Sequence, residues 1–360
     1  LEDDYFTKMP DKIKSITKDE VVKTAQKYLS EDHILISIEP GSPKKDKLNK
    51  PDIKPIEQPK GKSSEYAEYL KNIPITAVSE KYNDLSDVKK VNLYDKVSLH
   101  YTENPHNEYF TLTLKYGIGK HKSPKLAYAV DLMNSAGIMP DKDAQSVRRE
   151  FSELNATCNY AVTDDYLYIS LIGLESNLEE ICKLMTMQVL MPKLDETQLN
   201  QAIGREISTR IMLENQSIDI LSDALLKYAL YDNESDYIDR PTLEQIYYMN
   251  IGDLTGEFIR GTDYEIDIHY VGKRDLEDVK EALKGNLPLK EGVKPSTSPE
   301  IPERVKYKDN TILFLQNKDA QQARVYFYVD GFEYNIEDDV NIDAFNQYFG
   351  GGFNGLVMNE

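Results

Sequence analysis

Cysteine is almost missing: Cys158 and Cys182 are the only two among 360 residues. Two thiols build no disulfide framework, and their spacing is not that of a metal pair, so they fix no redox compartment and leave a bridge between them open. Long apolar runs are missing too. No stretch reaches the roughly 18 apolar residues of a membrane helix, and the segment opening at Leu1 lacks a basic region followed by an apolar one. Neither a membrane span nor a signal peptide is visible. Positive charge is in short supply, with 43 Lys plus Arg against 62 Asp plus Glu and a net charge of -19. Such a surface repels phosphate backbones and anionic lipid, which argues against nucleic acid as a partner. The acidity favours basic peptides weakly, because uniform charge of one sign mostly serves solubility.

The chemistry-bearing motifs are thin as well. The five histidines are His33, His100, His106, His121 and His269, and no two lie three or four apart, so no helical imidazole pair for zinc can be built. No Gly-x-Ser-x-Gly elbow occurs and no Gly-rich turn leads into Gly-Lys-Ser/Thr, which excludes the common serine-hydrolase and phosphate-loop sites. The acidic run Glu333 to Asp339 lacks the alternating ligands and turn glycine of a calcium loop and reads as a solvated loop. Tyr166, Tyr168, Tyr326 and Tyr328 fit a half-buried sheet better than a stacking surface.

What is present is globular material. Hydrophobic residues make up 40% and charged residues 29%, with 25 Tyr and 10 Phe, and the length suits two or three units with cores of their own. An internal recurrence organises it. Pro10, Ile13, Ile16, a helical run Lys18 to Leu29 and a β-run His33 to Ile38 return as Pro241, Ile246, Met249, Gly252 to Arg260 and Tyr264 to Gly272, roughly 230 residues on. The hairpin Val91 to Tyr101 with Tyr109 to Gly117 returns as Val305 to Leu315 with Arg324 to Gly331, at an offset of about 214. The division expected is the tail of one repeat at 1–40, a linker at 41–75, a whole unit at 76–290, a second linker at 291–302 and the head of a third copy at 303–360. Leu1 in place of Met, and a last helical segment from Ile342 to Glu360 without a cap, read as an excised piece of a longer protein.

Within the whole unit, β-branched and aromatic alternation predicts strands at 90–94, 97–102, 109–116, 156–162, 166–173 and 264–271. Apolar spacings of three and four predict helices at 124–136, 144–154 and 275–284, and a helical stretch over 176–260 broken near Pro192, Asn215 and Pro241. Hairpin strands early and helices in a block give an α+β class, with repeated domains of antiparallel or mixed β-sheet carrying helices on one face.

The unit size, the repetition and the run Tyr116-Gly117-Ile118-Gly119 leading to Leu126-Ala127-Tyr128-Ala129-Val130-Asp131-Leu132-Met133 resemble the pitrilysin/insulinase zinc metallopeptidases. In that family's active domains the helix reads Leu-Ala-His-x-x-Glu-His-Met. Its two imidazoles bind zinc and the Glu between them activates the bound water. Here Tyr128 and Leu132 stand at the two His positions and the shorter Asp131 at the Glu, so the frame is degenerate. The family's third ligand is a Glu on a downstream helix. The matching stretch, about 197–214, places Ser208 or Thr209 there, with Glu206 about a turn away. The run Asp343 to Glu360 resembles the Gly-rich stretch of the last domain in such proteins, which implies that Gly350, Gly351, Gly352, Phe353 and Asn354 contact substrate. The Arg and Tyr that follow this stretch in the family are not within the sequence. Read from the residues alone, Gly350 to Gly355 is either a loop whose bare backbone approaches a peptide or ligand or, with the stronger claim, a turn between two helices.

The resemblance implies the non-catalytic C-terminal half of a two-half clamshell metalloendopeptidase. Such a half has no cofactor of its own, closes the chamber over peptide substrates, and contributes acidic or neutral walls and a strand edge on which an extended peptide can add. Zinc is expected in the preceding, N-terminal catalytic half of the same chain. The sequence fixes no compartment, and a parent protein in the cell envelope or periplasm suits the resemblance. The alternative in the same family is a scaffold or assembly subunit like its silent core members. A further alternative is an unrelated peptide- or carbohydrate-binding α+β protein, which predicts no repeated topology.

Overall fold

The computed structural model describes residues 5–29, 34–38, 41, 64–74, 85–214, 220–299, 302–316, 323, 325–329, 331, 335–352 and 355–359. The chain divides into two units, Leu1–Glu80 and Lys81–Glu360.

The first unit holds helices α1 (Tyr5–Ser15), α2 (Lys18–Tyr28) and α3 (Glu65–Lys71). Thr17 opens α2 with a reciprocal cap: its side chain accepts from the Glu20 N–H while the Glu20 carboxylate takes the Thr17 N–H at 2.8 Å. Helix α3 lies within the segment expected to be a linker, and Ser64 starts it by accepting from the Ala67 N–H at 3.1 Å. The β-run expected at 33–38 is corrected. His33 lies outside the described residues, and 34–38 form no ladder, with Ile34 91% exposed. Apolar alternation makes a strand only where a neighbouring strand takes its backbone groups.

In the second unit β1 (Lys89–Tyr94), β2 (Val97–Glu103) and β3 (Tyr109–Tyr116) lead to α4 (Leu126–Met133), the short β4 (Gly137–Ile138) and α5 (Ala144–Glu153). Then come β5 (Thr157–Val162), β6 (Leu167–Leu174), α6 (Leu178–Leu190), β7 (Pro192–Lys193) and α7 (Glu196–Glu214). Short helical turns follow to α8 (Ile251–Gly261), β8 (Ile266–Gly272) and α9 (Leu276–Asn286). Six strands form one sheet in the order β1-β2-β8-β3-β6-β5, and β4 pairs with β7 apart from it. The sheet is mixed: β2 and β8 run parallel, in register from Val97↔Ile266 to Glu103↔Gly272, and its other pairs are antiparallel.

Period-two burial explains why the helices sit where they do. Leu99, Tyr101, Leu112, Leu114, Ile169, Leu171, Ile268 and Tyr270 are buried on one face against α4, α6, α8 and α9, each side chain contributing about 1.5–3 kcal/mol. The opposite face carries Lys90, His100, His269, Thr113, Ser170 and Asn159 in one row across all six strands, fixed by the ladder registers. Residues 294–298 are strapped to the end of the sheet rather than free. Glu265 N–H donates to Lys294 O at 2.7 Å and Thr297 N–H to Gly117 O at 2.8 Å, and Ser296 passes so close to Gly117 that a Cβ there has no room.

Two further expectations change. The hairpin over 305–329 is not formed among the described residues: 305–316 and 325–329 join no ladder, and Phe327 is 91% exposed. The final helix breaks in two, α10 (Asp339–Gly350) and α11 (Leu356–Asn359), because Gly351 caps the first and Gly352 takes φ +69, which favours glycine. Leu243–Tyr247 and the N-capped α8 before β8 repeat the order of α1 and the N-capped α2.

Candidate functional site

Helix α4 buries Leu126, Ala129, Val130, Leu132 and Met133, leaves Tyr128 half-buried against the core and turns Asp131 outward. Its start is tied to α8, where the Ser123 hydroxyl donates to the Glu257 carboxylate. Burial opposes ionisation of Glu257, but the Ser123 and Arg260 hydrogen bonds win and hold it below the usual carboxylate range.

Long α7 brings a cation to α4. Arg210 is buried, and its fork reaches three partners: Nη2 donates to the Tyr128 hydroxyl at 2.5 Å, Nε to Glu206 Oε1 at 2.8 Å and Nη1 to Pro241 O at 2.6 Å. The position matched to the first zinc-ligand His is thus joined to Glu206 through a guanidinium. Ser208 and Thr209 are exposed on α7. Asp131 pairs with Arg205 at 2.9 Å, both side chains more than half exposed, so that pair contributes little. Leu132 is 1% exposed in the core and has no donor atom to offer. Burial raises the Tyr128 phenol above its ordinary range, with Arg210 pulling the other way, so the phenol stays protonated at neutral pH.

The donors present do not fit catalytic zinc. That ion needs imidazole, thiolate or carboxylate groups converging on one point. Here one position is a buried hydrocarbon, another is a phenol, and a fixed positive charge stands between the phenol and Glu206. Among the described residues no group of three His, Cys, Asp or Glu side chains is placed to hold a metal. The arrangement can clamp α4, α7 and the Pro241 turn together.

Gly350 ends α10, Gly351 N–H returns to Gln347 O at 3.1 Å, and Gly355 N–H donates to Gly352 O at 3.2 Å, so the glycines form the turn between α10 and α11. Phe353 and Asn354 lie outside the described residues. Cys158 and Cys182 are both free thiols. No described helix is long and apolar enough to cross a membrane.

Three polar groupings were not singled out from sequence. Arg210 is one; its only sequence signal is a Glu four residues earlier on a helix. Glu175 is another, a buried carboxylate that accepts from the Tyr270 hydroxyl at 2.7 Å and from the Lys273 N–H at 2.5 Å, under Gly272, where a Cβ has no room. The third is the stacked pair His100 and His269, ring centroids 4.7 Å apart, with His100 Nε2 3.1 Å from Asp267 Oδ1. It is set up by the parallel register of β2 and β8.

No family model matches the sequence, and no curated protein is similar to it. Solved structures are. A peptidase M16 inactive domain from Pseudomonas fluorescens superposes with TM-score 0.55 at 17% identity, over 76% of this chain and 67% of that one. A mutant of the ferredoxin protease FusC, in complex with Arabidopsis ferredoxin, gives TM-score 0.53 at 10% identity, over 81% of this chain and 30% of that one. The periplasmic protease PqqL from Escherichia coli gives 0.52 at 12%, over 84% of this chain and 31% of that one. The chain thus spans about a third of the length of two whole proteases. Its six-stranded mixed sheet with helices on one face thus has the fold of the solved peptidase M16 inactive domain.

Proposed function

We propose that this chain is a non-catalytic wall of a larger two-half zinc metallopeptidase. It helps enclose peptide substrates while zinc and hydrolysis belong to a catalytic half of the same protein. The observation that carries this reading is the Tyr128–Arg210–Glu206 clamp, a permanent side-chain cation beside positions that the sequence resemblance matches to the family's zinc ligands. The likeness to an M16 inactive domain and to two proteases supports it. We also propose that Gly350, Gly351, Gly352, Phe353 and Asn354 contact substrate, a reading supported by the resemblance of their run to the Gly-rich stretch of the family's last domain. The likeness to the periplasmic protease PqqL supports a cell-envelope or periplasmic setting as part of this reading.

Incubating the purified chain with fluorogenic peptides, with and without a chelator, tests this. The expected result is no turnover in either condition, together with measurable capture of peptide by photo-crosslinking. Chelator-sensitive cleavage that Glu206→Gln abolishes contradicts the proposal. Absence of both cleavage and capture favours the scaffold alternative.

A further inference from the structure

The outer edge of the sheet next to α4 is already occupied. Strand β5 pairs on one side with β6, from Thr157↔Ile172 to Val162↔Leu167, and it is the last strand in the sheet order. An unpaired edge offers outward N–H and C=O groups on alternate residues, a template on which an extended chain adds as a further strand. At the middle of β5 both outward groups of one residue are taken. Asn134 Oδ1 accepts from the Tyr160 N–H at 3.1 Å, and Asn134 Nδ2 donates to Tyr160 O at 2.9 Å. One side-chain amide thus makes the two-bond ring that a residue of an added strand makes.

Asn134 is held for this task. It caps the C-terminus of α4, its own N–H bonding Val130 O and its Nδ2 also reaching Val130 O at 3.1 Å. Tyr160 is held from the other side. Its hydroxyl donates to Gln188 Oε1 at 2.8 Å, and its ring meets Phe258 edge-on, with centroids 5.4 Å apart. A strand adding to β5 must break the central pair of bonds or arch over it. The opposite edge is guarded in another way, since β1 begins with Lys89 and Lys90 and its register slips between Asn92 and Tyr94.

We propose that Asn134 is a built-in strand mimic that closes the β5 edge, so that the domain takes no extended peptide by strand addition there. Contacts with substrate are then left to other surfaces. The inference stands apart from the proposed function: an open edge would leave the clamp at Arg210 untouched, and an active zinc site would leave the edge untouched.

Site-resolved hydrogen exchange and peptide binding test it on the whole chain. The probe is a fluorescein-labelled decapeptide of alternating Thr and Val with a Lys at each end. In Asn134→Ala the Tyr160 amide should exchange at least tenfold faster than in the wild type, and the probe should bind about tenfold tighter, with protection appearing at Tyr160 in the complex. Asn134→Asp keeps the acceptor for the Tyr160 N–H and loses the donor. It should retain protection at that amide while gaining part of the peptide affinity, and it carries the test if the Ala variant does not fold. Unchanged exchange at Tyr160 in a folded variant overturns the proposal. So does wild-type binding of the probe along β5 as tight as that of the variants.

Discussion

Arg210 and Tyr128, 82 positions apart in sequence, meet at 2.5 Å between guanidinium and phenol, and this contact fixes the long helix α7 against α4. The same guanidinium holds Glu206 and the Pro241 carbonyl, so its removal orphans three polar groups at once. Arg210→Met should cost about 2–4 kcal/mol, because a broken buried charge pair leaves its partners desolvated and unpaired, with Glu206 partly rescued by solvent. Arg210→Lys should recover only a fraction, since an ammonium cannot reproduce the planar fork. Urea unfolding of the three proteins measures both effects.

The stacked imidazoles on the open face of the sheet give a pH dependence. Burial lowers the affinity of His269 for a proton, the His100 ring and Lys115 on β3 add to this, and Asp267 opposes them. The folded value therefore lies below the ordinary 6.5. A group whose folded value is depressed binds protons better in the unfolded chain. Its share of stability is complete above the unfolded value and falls as pH drops through the folded one. NMR titration should place His269 below 6.5, and His100→Gln should raise that value.

Glu175 anchors the end of β8. Its carboxylate takes the Tyr270 hydroxyl and the Lys273 N–H, while Arg274 reaches its backbone carbonyl at 2.6 Å and its side chain at 3.8 Å. Glu175→Ala leaves a buried phenol and a backbone amide without acceptors and should cost about 2–4 kcal/mol. Glu175→Gln, which keeps an acceptor, should lose less. Thermal unfolding distinguishes the two.

Burial pushes both thiols up to about 12, so neither supplies thiolate at neutral pH. Iodoacetamide at pH 8 should label the native chain at a small fraction of its rate in denaturant. Intact mass spectrometry over time reads this, and fast native labelling of Cys182 would contradict the packing of α6.

The strands over 89–116, 157–174 and 266–272 were legible because their alternation reflects a sheet with one buried face. The parallel pairing of β2 with β8 was not, since register between strands about 170 residues apart leaves no local mark. Ile34 to Ile38 and the stretch from 305 to 329 show the converse. Their alternation is as good, but a strand needs a partner, and none lies beside them among the described residues. The degenerate helix was legible from Tyr128, Asp131 and Leu132. Arg210 was not, because what makes it matter is the approach of α7 to α4. Asn134 likewise looks like an ordinary helix end until β5 is seen beside it.

The central claim is that a guanidinium stands in the metal's frame. Native mass spectrometry of the chain after equilibration with zinc and removal of the excess tests it most directly. The account predicts no retained stoichiometric ion in the wild type. One zinc per chain, retained against dialysis and lost in Glu206→Gln or Asp131→Asn, would contradict it.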